Sequence, residues 1–268
     1  MPLSAALPMY NLPEMRQANQ AFWSALAARL RRAGLDPPDA FEHGAPSVPN
    51  IISPDRLFTQ ICGYPLLKWF VDQATILGTP HYDLPGCEGA FHSAAFLVAE
   101  GSSARSLEDL RGSRFGLNNM QSNSGMNLPR LTLAPLAGGG PFFSEVVTTG
   151  HHVRSVEMLQ QGAVDTCAVD CVTYGFLRRY RPAAVAGTRI LTFTKPSPGL
   201  VFVTSSATPP DAVAILRTAL ADLFADPASR PVLEPLCFTG LSSLAAGDYR
   251  VVLDYERRAA EAGYPELI

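Results

Sequence analysis

Apolar residues recur along this 268-residue chain in short blocks whose spacing switches between strand-like and helix-like. Residues 5–9 read as a short buried strand. Met15, Ala18, Phe22, Leu26 and Leu30 share one stripe at the helical period, so the spacing predicts a helix over 13–33, with Pro13 in its first turn and Gly34 at its end. A Pro-rich loop follows over 36–53, then short helices over 55–61 and 65–72 and a strand over 74–78. The run 94–99 is apolar throughout and reads as a strand covered on both faces. In the block 105–118, Ser106 caps a one-turn helix, Glu108 and Asp109 favour its positive end, and Gly112 closes it. The remaining pattern predicts strands over 114–117, 145–148, 166–169, 189–193 and 200–204. Helices are predicted over 125–136, 152–161, 171–180, 211–225 and 249–262.

Strands alternating with helices at this spacing indicate α/β units around mostly parallel sheets, with loops at strand ends and helix N-termini facing the functional site. Composition narrows the classes. Hydrophobic residues make up 47% and charged residues 17%, enough apolar material for large cores and too little charge for disorder. Lys plus Arg number 21 against 24 Asp plus Glu, a net charge of −3, so a nucleic-acid partner of the basic-patch kind is not expected. No run of about 18 apolar residues exists, so no membrane span is expected. The opening residues lack a basic region and a continuous apolar run, and read as no signal peptide. The compartment is therefore open: periplasmic if a leader has been removed, cytoplasmic if the chain is complete as given. The cysteine count is five, with no CxxC pair, which argues against both a zinc site and a disulfide-dense scaffold.

Chemistry concentrates at Ser122-Asn-Ser-Gly125, which follows a predicted strand and opens a predicted helix. Hydroxyls, an amide and backbone N–H groups at a helix's positive end suit a tetrahedral oxyanion, and Gly125 lets backbone approach closely. From local sequence alone, the same stretch reads more readily as a plain N-cap. His152 begins a helix after a strand, where it would supply a donor, with the adjacent His151 as its rival. Asp170 follows another strand, where it would accept a proton from a protonated oxyanion, pair with a ligand ammonium, or cap a helix. A metal site from His81, His92 and nearby cysteines matches no ligand spacing. A Gly-x-Ser-x-Gly elbow, a Gly-x-Gly-x-x-Gly turn and a Walker sequence are all missing, so neither a cofactor nor a metal is expected.

Several stretches carry a family resemblance: Gln60-Ile-Cys-Gly-Tyr-Pro65, Gly78-Thr-Pro-His-Tyr82, Gly86-Cys-Glu-Gly89, the block from Ser106 to Gly112, Ser122-Asn-Ser-Gly-Met-Asn127, Thr149-Gly-His-His152 and Val169-Asp-Cys-Val-Thr173. In this order the chain resembles type II periplasmic binding proteins, in the phosphate/phosphonate/phosphite branch of ABC-transporter substrate-binding proteins. The resemblance implies an α/β fold of two lobes with a ligand cleft between them and crossing strands near 91–99 and 199–205. Lobe 1 would take residues 1–95 plus 203–268, and lobe 2 residues 96–202. It implies capture of a small phosphate-like oxyanion by a monomer without catalysis, for an ABC permease if the chain is exported. The implied ligand-binding residues are Tyr10, Tyr64, Glu88, Ser122, Asn123, Ser124, Gly125, Asn127, His152 and Asp170. Asn123 departs from the branch's usual Ser-Thr-Ser. Cys62 and Cys87, on loops assigned to one rim, form a candidate disulfide; Cys167, Cys171 and Cys237 read as core. The alternatives are a cytosolic enzyme on the same fold, like the menaquinone-pathway dehydratases, and a ligand-sensing protein.

Overall fold

The structure is a computed structural model, in which residues 3–44 and 52–268 are described. Residues 1–2 and 45–51, the latter within the loop expected over 36–53, lie outside the described residues. The chain divides into two compact units, Met1–Asp83 with Gly199–Tyr249 and Leu84–Pro198 with Arg250–Ile268. The boundaries expected at 95/96 and 202/203 are therefore displaced. The reason lies in pairing: the hairpin of Cys87–Glu88 and Phe91–His92 joins Ser197–Pro198 in a small sheet. The chain's last helix, Val251–Glu261, joins the second unit through Asn127 Nδ2, which donates to the Val252 carbonyl at 2.7 Å, and Arg130 Nη1 donates to Pro265 O at 2.8 Å.

The first unit is built on five strands in the order Ser4–Ala5, Arg56–Ile61, Val201–Ser205, Ala74–Tyr82 and Phe238–Ser242. Arg56–Ile61 was expected to be helical. It is a strand buried along its whole length, because both of its faces are covered and the alternation that marks a half-exposed strand is absent. The helix Arg16–Arg32 buries Phe22, Trp23, Leu26 and Leu30, where Ala18 of the expected stripe is only partly covered. Phe22, Phe58, Phe202 and Phe238 pack with ring centroids 5.0–6.2 Å apart.

The second unit's main sheet runs Thr188–Phe193, Ala94–Ala99, Thr166–Asp170, Arg114–Leu117, Glu145–Thr148. Ala94–Ala99 is buried at five of its six positions and antiparallel to both neighbours, whereas Arg114–Leu117 is parallel to both of its own. In the first unit Val201–Ser205 likewise opposes both neighbours. The sheets are therefore mixed rather than mostly parallel. Ala94–Ala99 and Val201–Ser205 are the strands into which the chain runs soon after entering each unit from the other, so they do not follow the βαβ rule of strands wound within one unit, and the edge strand Phe238–Ser242 is also antiparallel to Ala74–Tyr82.

Candidate functional site

In the second unit, three strand ends deliver the chemistry. After Arg114–Leu117 comes Asn118, then a short loop to Ser122, whose extended backbone turns into a helical run from Asn123 to Ala137. The run opens with a wide turn: Asn127 N donates to Ser122 O at 3.1 Å, and Leu128 N to Asn123 O. Ser122 Oγ accepts from Gly125 N at 2.9 Å, which makes Ser122 the N-cap. The sequence allowed a cap or a ligand group here, and the cap is present.

Ser124 points elsewhere. Its Oγ lies 3.1 Å from His152 Nε2, and Asn118 Nδ2 lies 3.3 Å from the same nitrogen. Asn118 Nδ2 can only donate, so Nε2 accepts and the proton of the neutral ring sits on Nδ1. That Nδ1 is buried and has no hydrogen-bond partner among the described residues; neither does the buried Asn118 Oδ1. Burial is the main force that lowers the His152 pKa to about 4, against the raising influence of Asp170, so the ring is neutral at pH 7. His151 is the exposed cap of the His152–Gln160 helix, its Nδ1 accepting from Arg154 N at 3.2 Å. Of the adjacent pair, His152 is the one that meets Ser124.

Gly125 is required by crowding. A Cβ at this position would stand 1.9 Å from Asn118 Oδ1 and 3.1 Å from His152 Cε1. Asn123 and Asn127, expected to face ligand, are fully buried with their amides committed inward. Asn123 Nδ2 donates to Ser197 Oγ at 2.9 Å, Asn127 Nδ2 donates to Asn123 Oδ1 at 3.1 Å, and Asn127 Oδ1 accepts from Arg130 Nη2 at 2.8 Å.

Asp170 ends the Thr166–Asp170 strand and caps the Cys171–Tyr180 helix, its Oδ1 accepting from Thr173 N at 2.9 Å. Its Oδ2 lies 2.8 Å from His92 Nδ1, with both side chains 3% exposed. Burial opposes the charged form of each partner, but the attraction between them prevails: the His92 pKa is raised and the Asp170 pKa lowered. Asn118 escaped the sequence reading, and His92 entered it only as a metal ligand that matched no spacing. Asn118 carried a signal, as the first residue after a strand in the arm that leads to Ser122. His92 sits in a run otherwise read as plain strand.

Glu88 is exposed on the Cys87–Glu88 strand. In the first unit Tyr10 is buried, edge-on to Tyr82 at 5.7 Å, and the Tyr64 hydroxyl accepts from Lys68 Nζ at 2.9 Å. The first unit also holds an apolar pocket of about 440 Å³ lined by Leu67, Val71, Ile76 and Leu244, which includes none of the expected residues. The cysteine expectation changes: Cys62 and Cys87 form no disulfide and belong to different units, and Cys87 Sγ lies 3.5 Å from Cys171 Sγ, a residue expected only as core. The β-pairing of Cys87 with His92, two residues before Ala94, brings it to the start of the helix after Asp170. Among the described residues no group of His, Cys, Asp and Glu is arranged to hold a metal ion.

Residues 73–249, well over half of the chain, match the family described as ABC transporter, phosphonate, periplasmic substrate-binding protein. The chain belongs to this family. Its fold is that of type II periplasmic binding proteins, as solved structures of low identity agree. A binding-protein component of an ABC phosphonate transporter from Pseudomonas aeruginosa superposes with a TM-score of 0.76 at 15% identity, covering 97% of this chain and 87% of that one. PhnD1 from Prochlorococcus marinus, in complex with methylphosphonate, gives 0.74 at 14%, covering 97% and 98%. A Xanthomonas citri protein bound to chloride gives 0.72 at 18%, again covering 97% and 98%. No curated protein sequence matches significantly. Members of this family are periplasmic substrate-binding proteins, and among the described residues no helix is long and apolar enough to cross a membrane.

Proposed function

We propose that this chain captures a small tetrahedral oxyanion of the phosphonate class on the cradle formed by Ser122–Gly125, Asn118 and His152. The observation that carries this reading is the pair of buried polar atoms left without a protein partner beside Ser124, His152 Nδ1 and Asn118 Oδ1. Buried polar groups are almost always satisfied, and an unsatisfied pair at a helix's positive end is a place prepared for a polar ligand. The imidazole N–H donates to a P–O oxygen, the Ser124 hydroxyl rotates to donate to another, and Asn118 Oδ1 accepts from a P–OH group. Family membership supports delivery to an ABC permease and a periplasmic place of work, by a single chain with no nucleic-acid partner.

The same geometry argues against catalysis. Ser124 and His152 are spaced like a nucleophile and its base, but a base needs a third group on its other nitrogen, and Nδ1 has none among the described residues. The carboxylate that would serve, Asp170, is held by His92. A ring whose pKa is about 4 is also a poor proton acceptor at pH 7.

Calorimetric titration with methylphosphonate, phosphite, phosphate and sulfate tests the reading. Binding of a phosphorus oxyanion that weakens in Asn118→Ala supports it. No binding of any of the four, or binding unaffected by Asn118→Ala, would overturn it.

A further inference from the structure

Asp170 has two chemical options at an oxyanion site: to face the ligand or to face the protein. The structure shows the second. Oδ1 is taken by Thr173 N at 2.9 Å and Oδ2 by His92 Nδ1 at 2.8 Å. His92 is not a surface residue that can swing aside. It is 2% exposed, and its short strand Phe91–His92 is paired on one side with Cys87–Glu88 and on the other with Ser197–Pro198. Its Nε2 is buried with no hydrogen-bond partner among the described residues. The strand that ends in Asp170 lies beside Arg114–Leu117, which leads into Asn118, and packs against the Asn123–Asn127 turn and the His152–Gln160 helix, which puts the His92–Asp170 pair next to the cradle.

We propose that His92 determines specificity: by holding the Asp170 carboxylate, it restricts the cradle to oxyanions whose substituent is neutral or absent and turns away aminoalkylphosphonates. This rests on the oxyanion reading of the cradle. A ligand ammonium would have to draw Asp170 off His92 and leave the buried imidazole Nδ1 without its acceptor, or stay buried with no carboxylate of its own. Either outcome costs binding, because a buried polar or charged group without its partner is strongly disfavoured. A methyl group or a P–H bond makes no such demand.

The test is a comparison of two probes, methylphosphonate and 2-aminoethylphosphonate, titrated calorimetrically at pH 7 into the wild type and into His92→Leu. The wild type is expected to bind methylphosphonate at least tenfold more tightly. His92→Leu carries no donor, so it releases the carboxylate and is expected to move the ratio about tenfold towards the aminoethyl ligand, which a merely structural role for His92 would not do. A wild type that binds 2-aminoethylphosphonate as tightly as methylphosphonate overturns the inference, as does an unchanged ratio in a folded His92→Leu. The wild-type ratio decides alone if the variant does not fold. Failure of both probes and of phosphite and phosphate to bind brings down the cradle itself. Binding without discrimination brings down only the role of His92.

Discussion

Replacing Gly125 with alanine perturbs the cradle at its tightest point. The new Cβ would stand 1.9 Å from Asn118 Oδ1, 2.6 Å from Asn118 Cγ and 3.1 Å from His152 Cε1. Backbone strain is not the issue, since Gly125 is not among the glycines with positive φ, and in a helical run alanine is intrinsically preferred by about 0.5–1 kcal/mol. Overpacking a filled site costs about 1–3 kcal/mol, and it prevails here because the obstacle is an amide 4% exposed, so the whole Asn118 side chain must rotate away. The net loss of stability is expected to be about 1–2 kcal/mol. Rotation also takes the amide from His152 Nε2 and from the ligand. One bond to a charged ligand, worth about 1.5–3 kcal/mol, corresponds to roughly a tenfold to hundredfold loss of affinity. The assay is thermal melting together with calorimetric titration of methylphosphonate into Gly125→Ala, Asn118→Ala and the double variant. Asn118→Ala removes the obstacle, so adding Gly125→Ala to it is expected to be neutral or slightly stabilising, a coupling that the double-mutant cycle reads directly. Wild-type affinity and melting temperature in Gly125→Ala, or stability losses that simply add in the double variant, would refute the reasoning.

Ser124→Ala is expected to weaken methylphosphonate binding about tenfold or more while the fold survives, and His151→Ala, which removes only an exposed helix cap, to leave the affinity unchanged in the same titrations. His152 titrates near 4 when folded against an ordinary 6.5, so the unfolded chain binds a proton that the folded chain refuses. Stability is therefore lost as pH falls from 6.5 towards 4, and melting curves across that window are expected to show His152→Gln gaining on the wild type as the pH drops. Cys87 and Cys171 are expected to join when treated with glutathione disulfide, each thiol losing its hydrogen as the reagent is reduced to two glutathione molecules. Peptide mapping would show the 87–171 link, absent in Cys171→Ser, and a Cys62–Cys87 link instead would refute this pairing.

The sequence made the second unit's regular elements legible where neighbouring segments agreed in period. Ala94–Ala99, Arg114–Leu117, Glu145–Thr148 and Cys171–Tyr180 fall on their expected bounds, because each is closed off by turn or capping residues. Arg56–Ile61 was misread because a strand covered on both faces loses its alternation, and a short apolar run then resembles a helix. Phe238–Ser242 was missed because it is an edge strand held by pairing with Ala74–Tyr82, with little apolar signal of its own. At the site, Ser124, Gly125, His152 and Asp170 were legible as groups at strand ends and helix starts. The direction of a side chain was not. Asn123 and Ser124 are neighbours of similar polarity, yet one turns into the interior towards Ser197 and the other towards His152. The role of His92 depends on a register between two-residue strands, which no local pattern encodes.

The way charge is placed in the second unit bears on how such a protein both captures and releases. Among the described residues, the hydrogen bonds of Ser122, Ser124, Asn118 and His152 involve no Lys or Arg. Burial keeps His152 neutral at pH 7, and Asp170 is turned to His92. On the oxyanion reading, an anion is drawn by the positive end of the Asn123–Ala137 run and by neutral donors, which a helix terminus strengthens without requiring a counter-ion in the empty state. A site built on a bare ammonium would hold anions of many shapes, because a point charge imposes little geometry. Neutral donors fixed by Gly125's close approach and the Ser122 cap reward only a ligand whose oxygens meet all of them. Three such bonds at about 1.5–3 kcal/mol each span the range of a micromolar complex, about −8 kcal/mol, before the entropy of association is subtracted. Losing the alignment of even one donor then lowers affinity about tenfold or more, so small displacements of the Asn118 and His152 side chains are sufficient to switch such a cradle from holding its anion to letting it go.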